Sequence, residues 1–79
     1  MSAVVTLYGR PNCHLCDEAR EAILELAARG ERFELREVDI ERDRELLAAY
    51  LERIPVVAVD GEVVSELVFD PASLRHRLG

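Results

Sequence analysis

Two cysteines, Cys13 and Cys16, are the side chains best placed to do chemistry in this sequence. They lie in Tyr8-Gly9-Arg10-Pro11-Asn12-Cys13-His14-Leu15-Cys16-Asp17-Glu18, where an apolar run gives way to a helical pattern. On a helix, residues three apart share a face with Cβ atoms roughly 5–6 Å apart, within reach of a disulfide after small adjustment. The free amides and dipole of a helix start favour negative charge, and a cysteine there ionises more easily, as in other Cys-x-x-Cys motifs. The pair therefore suits two-step exchange: Cys13 attacks a disulfide as thiolate, and Cys16 resolves the mixed disulfide. The same two sulfurs would also supply half of a four-ligand zinc or iron–sulfur site, which a dimer would complete. His14 is either an exposed first-turn residue or, as imidazolium, a second source of positive charge beside the thiolate.

The elements that must position these residues can be read from pattern. Ala3 to Tyr8 is apolar and β-branched, as in a strand buried on both faces. Gly9 and Pro11 should break it. Leu15, Ala19, Ala22, Ile23, Leu26 and Ala27 form a helical stripe. The spacing predicts a helix from Cys13 or His14 to Arg29, with Asn12 as N-cap and Asp17 and Glu18 in its first turn. Arg29 gives a basic last turn, and Gly30 stops the helix. Phe33 to Val38 alternates as a half-exposed strand; Val38 is out of phase, which points to a bulge or an early end. A helix between two strands makes a parallel, right-handed βαβ pair.

Asp39 to Asp43 reads as a polar turn, and a second helix spans about Arg44 to Glu52, with Leu46, Leu47, Tyr50 and Leu51 on its apolar stripe. Ile54-Pro55 ends it. Val56 to Val59 is a fully apolar strand, Asp60-Gly61 a hairpin turn, and Glu62-Val63-Val64 the returning partner. Asp70 caps a last helix, Pro71 opens it, and Leu74 and Leu78 form its apolar face. The order is β-α-β-α-β-β-α: an α/β fold with one four-stranded mixed sheet and helices on both faces.

The chain has 79 residues, read as a single domain over 1–79. A chain this small buries only about 60–65% of its unfolded surface. A formal net charge of −6 argues against nucleic acid or an anionic membrane as partner. All ten basic residues are arginines, so no lysine is available for chemistry. No apolar run reaches the roughly 18 residues of a membrane span. The N-terminal apolar run lacks the basic start of a signal peptide. A cytoplasmic monomer is the expectation, in which a Cys-x-x-Cys is redox-active or metal-binding rather than structural.

This order resembles the glutaredoxin branch of the thioredoxin fold over nearly the whole chain, with Cys13-His14-Leu15-Cys16 after the first strand and Arg53-Ile54-Pro55 before the third. The resemblance implies a thiol–disulfide oxidoreductase with Cys13 as nucleophile, Cys16 as resolving thiol and Pro55 in a cis peptide bond. It also implies that Arg10 faces the site, where it would pair with a substrate carboxylate or the thiolate. Ile54 would offer its backbone to the substrate in strand fashion. Tyr8 matches an aromatic that precedes the nucleophile. Two departures stand out. Ser65 and Glu66 occupy the family's Gly-Gly positions, and Val68 and Phe69 its acidic pair, which holds the γ-glutamyl end of glutathione. The expected substrate-binding residues are therefore Arg10, His14, Ile54 and Pro55, with no resident cofactor or metal. Substrates would be protein or small-molecule disulfides, and the reductant glutathione or a thioredoxin-reductase-like protein. A domain that keeps the fold and only binds partners through the Ile54-Pro55 groove is the remaining alternative.

Overall fold

In a computed structural model, which describes residues 2–79, the chain runs β1 (Ala3–Gly9), α1 (His14–Ala28), β2 (Phe33–Asp39), a 3-10 turn (Ile40–Arg42), α2 (Arg44–Tyr50), β3 (Val56–Val59), β4 (Glu62–Glu66) and α3 (Pro71–Leu78). Residue 1 of the expected 1–79 domain lies outside the described residues. The strands form one four-stranded sheet in the order β2-β1-β3-β4. β1 pairs parallel with β2 and antiparallel with β3, and β3 pairs antiparallel with β4.

Two apolar layers flank this sheet. On one face, Val5 and Leu7 of β1 and Val57 and Val59 of β3 pack against Ala19, Ile23 and Leu26 of α1 and Leu74 of α3. On the other, Val56 packs with Ile40 and Ile54, and Tyr8, Leu46, Leu47 and Tyr50 lie over them. Complete burial of a Val, Leu or Ile side chain is worth about 1.5–3 kcal/mol, so the first layer, with its larger set of buried side chains, is the main stabiliser. It holds α1 against the sheet through Ala19, Ile23 and Leu26, while Cys16 at the start of α1 packs in the second layer.

Several local expectations are corrected. β1 is not buried on both faces: Val5, Leu7 and Gly9 are buried, while Val4, Thr6 and Tyr8 are half-buried. α2 has only seven residues, none of them buried. Gly9 does not end the strand but is its last member. The β1–β2 register runs unbroken from Ala3 opposite Phe33 to Gly9 opposite Asp39, so Val38 marks no bulge. Paired with Tyr8, it belongs to the α2 face, and this is why it falls out of phase with Leu35. The bulge lies instead in β4: Val57 pairs with Ser65 and Ala58 with Val63, which leaves Val64 extra.

α2 stops at Tyr50, whose carbonyl accepts from the Arg53 and Ile54 amides at 2.8 and 3.0 Å. Leu51, expected on the apolar stripe, is left exposed beyond that end. Asp43 caps α2 by accepting from the Glu45 and Leu46 amides. Asp60 and Gly61 both have positive φ, the conformation a type I′ hairpin turn requires. Asp70 caps α3 with Pro71 in its first turn, as expected.

Candidate active site

Cys13 sits where β1 hands over to α1. Asn12 adopts φ 61°, in the left-handed region that Asn tolerates, and so cannot be the N-cap. Cys13, at φ −106° and ψ 107°, takes that position. Its Sγ accepts from the Cys16 amide at 3.2 Å, and its carbonyl accepts from the Asp17 amide at 3.1 Å. The sulfur thus stands in for the oxygen of an ordinary capping side chain, at the positive end of a 15-residue helix. Arg29 is the C-cap rather than a last-turn residue, and Gly30 follows with φ 105°.

Cys13 and Cys16 form a disulfide, with Cα atoms 5.2 Å apart. The two sulfurs are not equivalent. Cys13 is half-buried, whereas Cys16 is only 1% exposed and packs with Ile40, Ile54 and Val56. Asymmetric access of this kind separates an attacking thiol from one that acts only within the molecule.

Close contacts fix Cys16. Gly9 lies directly against it: a Cβ on Gly9 would come within 3.0 Å of the Cys16 Sγ and 3.1 Å of its Cβ. A cleft of about 340 Å³ opens beside this contact, bordered by Arg10, Pro11, Cys16, Asp17 and Arg20. There Arg20 bonds both Glu37 and Asp17. Its guanidinium is held above the usual arginine range by Glu37 first and Asp17 second.

The four expected substrate-binding residues lie in different settings, and Pro55 is fully buried. The Ile54–Pro55 peptide bond is cis, and Ile54 packs in the same cluster as Cys16. The Ile54 amide donates to the Tyr50 carbonyl, so a strand-like contact with substrate would fall to its carbonyl. Arg10 borders the cleft and pairs with Glu41 at 3.8 Å. The His14 side chain is 88% exposed, and its Nε2 lies 3.4 Å from Glu18. Tyr8 stacks at a tilt on Tyr50, with ring centroids 5.0 Å apart.

Four participants escape a reading of the sequence. Arg53 makes a two-pronged ion pair with Glu66, at 2.8 and 2.6 Å, and lies over the Tyr50 ring. This pair raises the Arg53 pKa and lowers that of Glu66, in both cases chiefly through their mutual hydrogen bonds. For Arg20 the one available signal is its place one helical turn after Cys16 on the same face. Gly9 gave no local sign of its contact with Cys16. Among the described residues no group of three or more His, Cys, Asp or Glu side chains has the placement to hold a metal ion.

A four-stranded mixed sheet carrying a disulfide-forming Cys-x-x-Cys at the start of α1, with a cis proline before β3, defines a thioredoxin-like fold with a redox-capable cysteine pair. The family described as "Glutaredoxin-like domain (DUF836)" matches residues 4–79, and the chain belongs to it. Among solved structures, a protein from X. campestris is 39% identical, with 94% of this chain and 93% of that one covered and a TM-score of 0.75. A protein from Nitrosomonas europaea is 26% identical, with 100% and 94% covered and a TM-score of 0.84. A thioredoxin from Halobacterium salinarum, at 23% identity, a TM-score of 0.66 and 98% and 72% coverage, shares the fold. A search of the curated proteins finds no match.

Proposed function

We propose that this chain is a thiol–disulfide oxidoreductase of glutaredoxin type. One observation carries the reading: the Cys13 sulfur is the N-cap acceptor of α1, 3.2 Å from the Cys16 amide, with the second sulfur already within bonding reach. A group that accepts a hydrogen bond at the positive end of a helix is stabilised further when it becomes an anion.

The reaction follows in two steps. The Cys13 thiolate attacks one sulfur of a substrate disulfide, forming a mixed disulfide and expelling a thiolate that takes up a proton. Cys16 then gives up its proton and attacks the Cys13 sulfur, which releases the second substrate thiol and closes the Cys13–Cys16 disulfide. Two electrons pass from the dithiol to the substrate. Glutathione or a thioredoxin-reductase-like protein restores the dithiol. Arg10, His14 and the Ile54 carbonyl frame the approach to Cys13 and contact the substrate, and the fully buried Pro55 sets the backbone that presents Ile54. The protein acts as a cytoplasmic monomer without a resident cofactor.

The test is reduction of a model disulfide by wild type, Cys13→Ser and Cys16→Ser. Wild type is expected to turn over. Cys13→Ser should be inactive, and Cys16→Ser should accumulate a mixed disulfide visible by mass spectrometry. Wild-type activity no greater than that of Cys13→Ser overturns the reading.

A further inference from the structure

The chain exposes three large apolar side chains around one groove: Leu15 at 45%, Leu67 at 51% and Val68 at 73%. The groove, about 200 Å³, is walled by these three with Ala22 and Phe69, and Glu18 is its one charged neighbour among the described residues. Leu15 is also the residue between His14 and Cys16, so the groove reaches the turn of α1 that carries the disulfide. Exposed apolar side chains gathered at one place, unlike scattered ones, mark a binding surface.

The loop that displays Leu67 and Val68 is held in place. Leu67 has φ 64°, a conformation that leucine seldom adopts. It is kept there by its amide, which donates to the Arg53 carbonyl at 2.9 Å, next to the cis Ile54–Pro55 bond. The Ser65 hydroxyl bonds the Val68 carbonyl at 3.3 Å and accepts from the Asp70 amide at 3.1 Å. These bonds turn Leu67 and Val68 outward before any ligand arrives.

Charge selects the occupant. Arg10 is matched by Glu41, Arg53 by Glu66 in a two-pronged pair, and Arg20 by Glu37 and Asp17. Arg10 and Arg20 border the cleft at Cys16, Arg53 adjoins Ile54, and each already has its carboxylate; the groove itself adds Glu18, 3.4 Å from His14. An anionic ligand would have to displace a carboxylate already paired with each of these arginines, whereas an apolar side chain on a neutral or basic polypeptide finds complementary surface.

Resting on the oxidoreductase reading, we infer that this groove is a subsite for the apolar side chain flanking the disulfide cysteine of a polypeptide substrate, and that the site discriminates against anionic disulfides. The experiment compares kcat/KM of the full-length protein, recycled by a chemical reductant, on four disulfides. They are a small neutral one, glutathione disulfide, and two peptide disulfides that differ only in Leu or Asp beside the cysteine. Wild type is expected to favour the Leu peptide over the Asp peptide and over glutathione disulfide by at least tenfold. Leu67→Asn, which suits the left-handed backbone, and Val68→Asp, at an exposed position, should each abolish most of that preference through KM while leaving the neutral disulfide within twofold. Glu66→Gln, which frees Arg53, should improve glutathione disulfide severalfold. Equal use of the two peptides, or a preference that survives both groove variants, overturns the inference and leaves the oxidoreductase reading intact. Failure to reduce any of the four overturns both. A wild-type dimer in sedimentation that Val68→Asp dissociates also overturns it, since the groove would then be filled by a second copy.

Discussion

Gly9 and Cys16 are in such close contact that the smallest side chain on Gly9 would press on the resolving sulfur, at 3.0 Å. Cys16 has little room to recoil, because Ile40, Ile54 and Val56 close its other sides. In the disulfide its side-chain torsion is locked by the bond to Cys13; as a free thiol it can turn. Gly9→Ala is therefore expected to penalise the oxidised form more. The dithiol–disulfide equilibrium should shift toward dithiol by about tenfold, or about 30 mV. Equilibration in a thiol redox buffer, read by alkylation and mass spectrometry, measures it. An equilibrium within twofold of wild type in a folded variant would remove the contact from the account.

Ile23 of α1 is fully buried in the layer that seats α1 on the sheet. Ile23→Ala should cost about 2–5 kcal/mol, a large share of the stability of a domain this small, measurable as a lower denaturant midpoint. Because the Cys13 cap is made within the first turn of α1, away from Ile23, the remaining folded fraction should keep its Cys13 reactivity. A loss below 1 kcal/mol would mean that this layer is not the main support (~1 kcal/mol being the average for point changes).

Asp70 caps α3, and its carboxyl pKa lies below the ordinary value, through the Ser73 hydroxyl first and the Ala72 amide second. A group whose pKa is lowered on folding adds stability above its unfolded pKa and loses it as pH falls through the folded value. Glu66, lowered by Arg53, acts in the same direction. Asp70→Asn should therefore lower the thermal midpoint at pH 7 and make little difference near pH 2, where wild type is protonated too. A gap of equal size at both pH values would show that the carboxylate charge contributes nothing.

Much of this was legible in the sequence because the signals are local. Asp60-Gly61 and Asp70-Pro71 specify a turn and a helix start through their own backbone preferences, and Cys13 with Cys16 marks the junction of strand and helix. Errors arose where two local signals competed. Asn12 is both a good cap and a good left-handed turn residue, and the turn after Pro11 took it, leaving the cap to Cys13. Val38 looked like a fault in the alternation of β2 only because the second apolar face was not visible from that strand alone. The Gly9–Cys16 contact and the Arg53–Glu66 pair join residues from different elements, and no local pattern announces them. The family resemblance pointed to the cis bond at Pro55, where the local pattern signals only a helix stop.

The central claim is that Cys13 is the ionised, attacking sulfur. Its most direct test is the pH dependence of alkylation of the reduced protein, followed at each cysteine separately by peptide mass spectrometry. Cys13 is expected to react first, with a midpoint clearly below the ordinary thiol value of about 8.5, while Cys16 stays protected. A Cys13 midpoint at or above that value, or Cys16 labelled first, would contradict it.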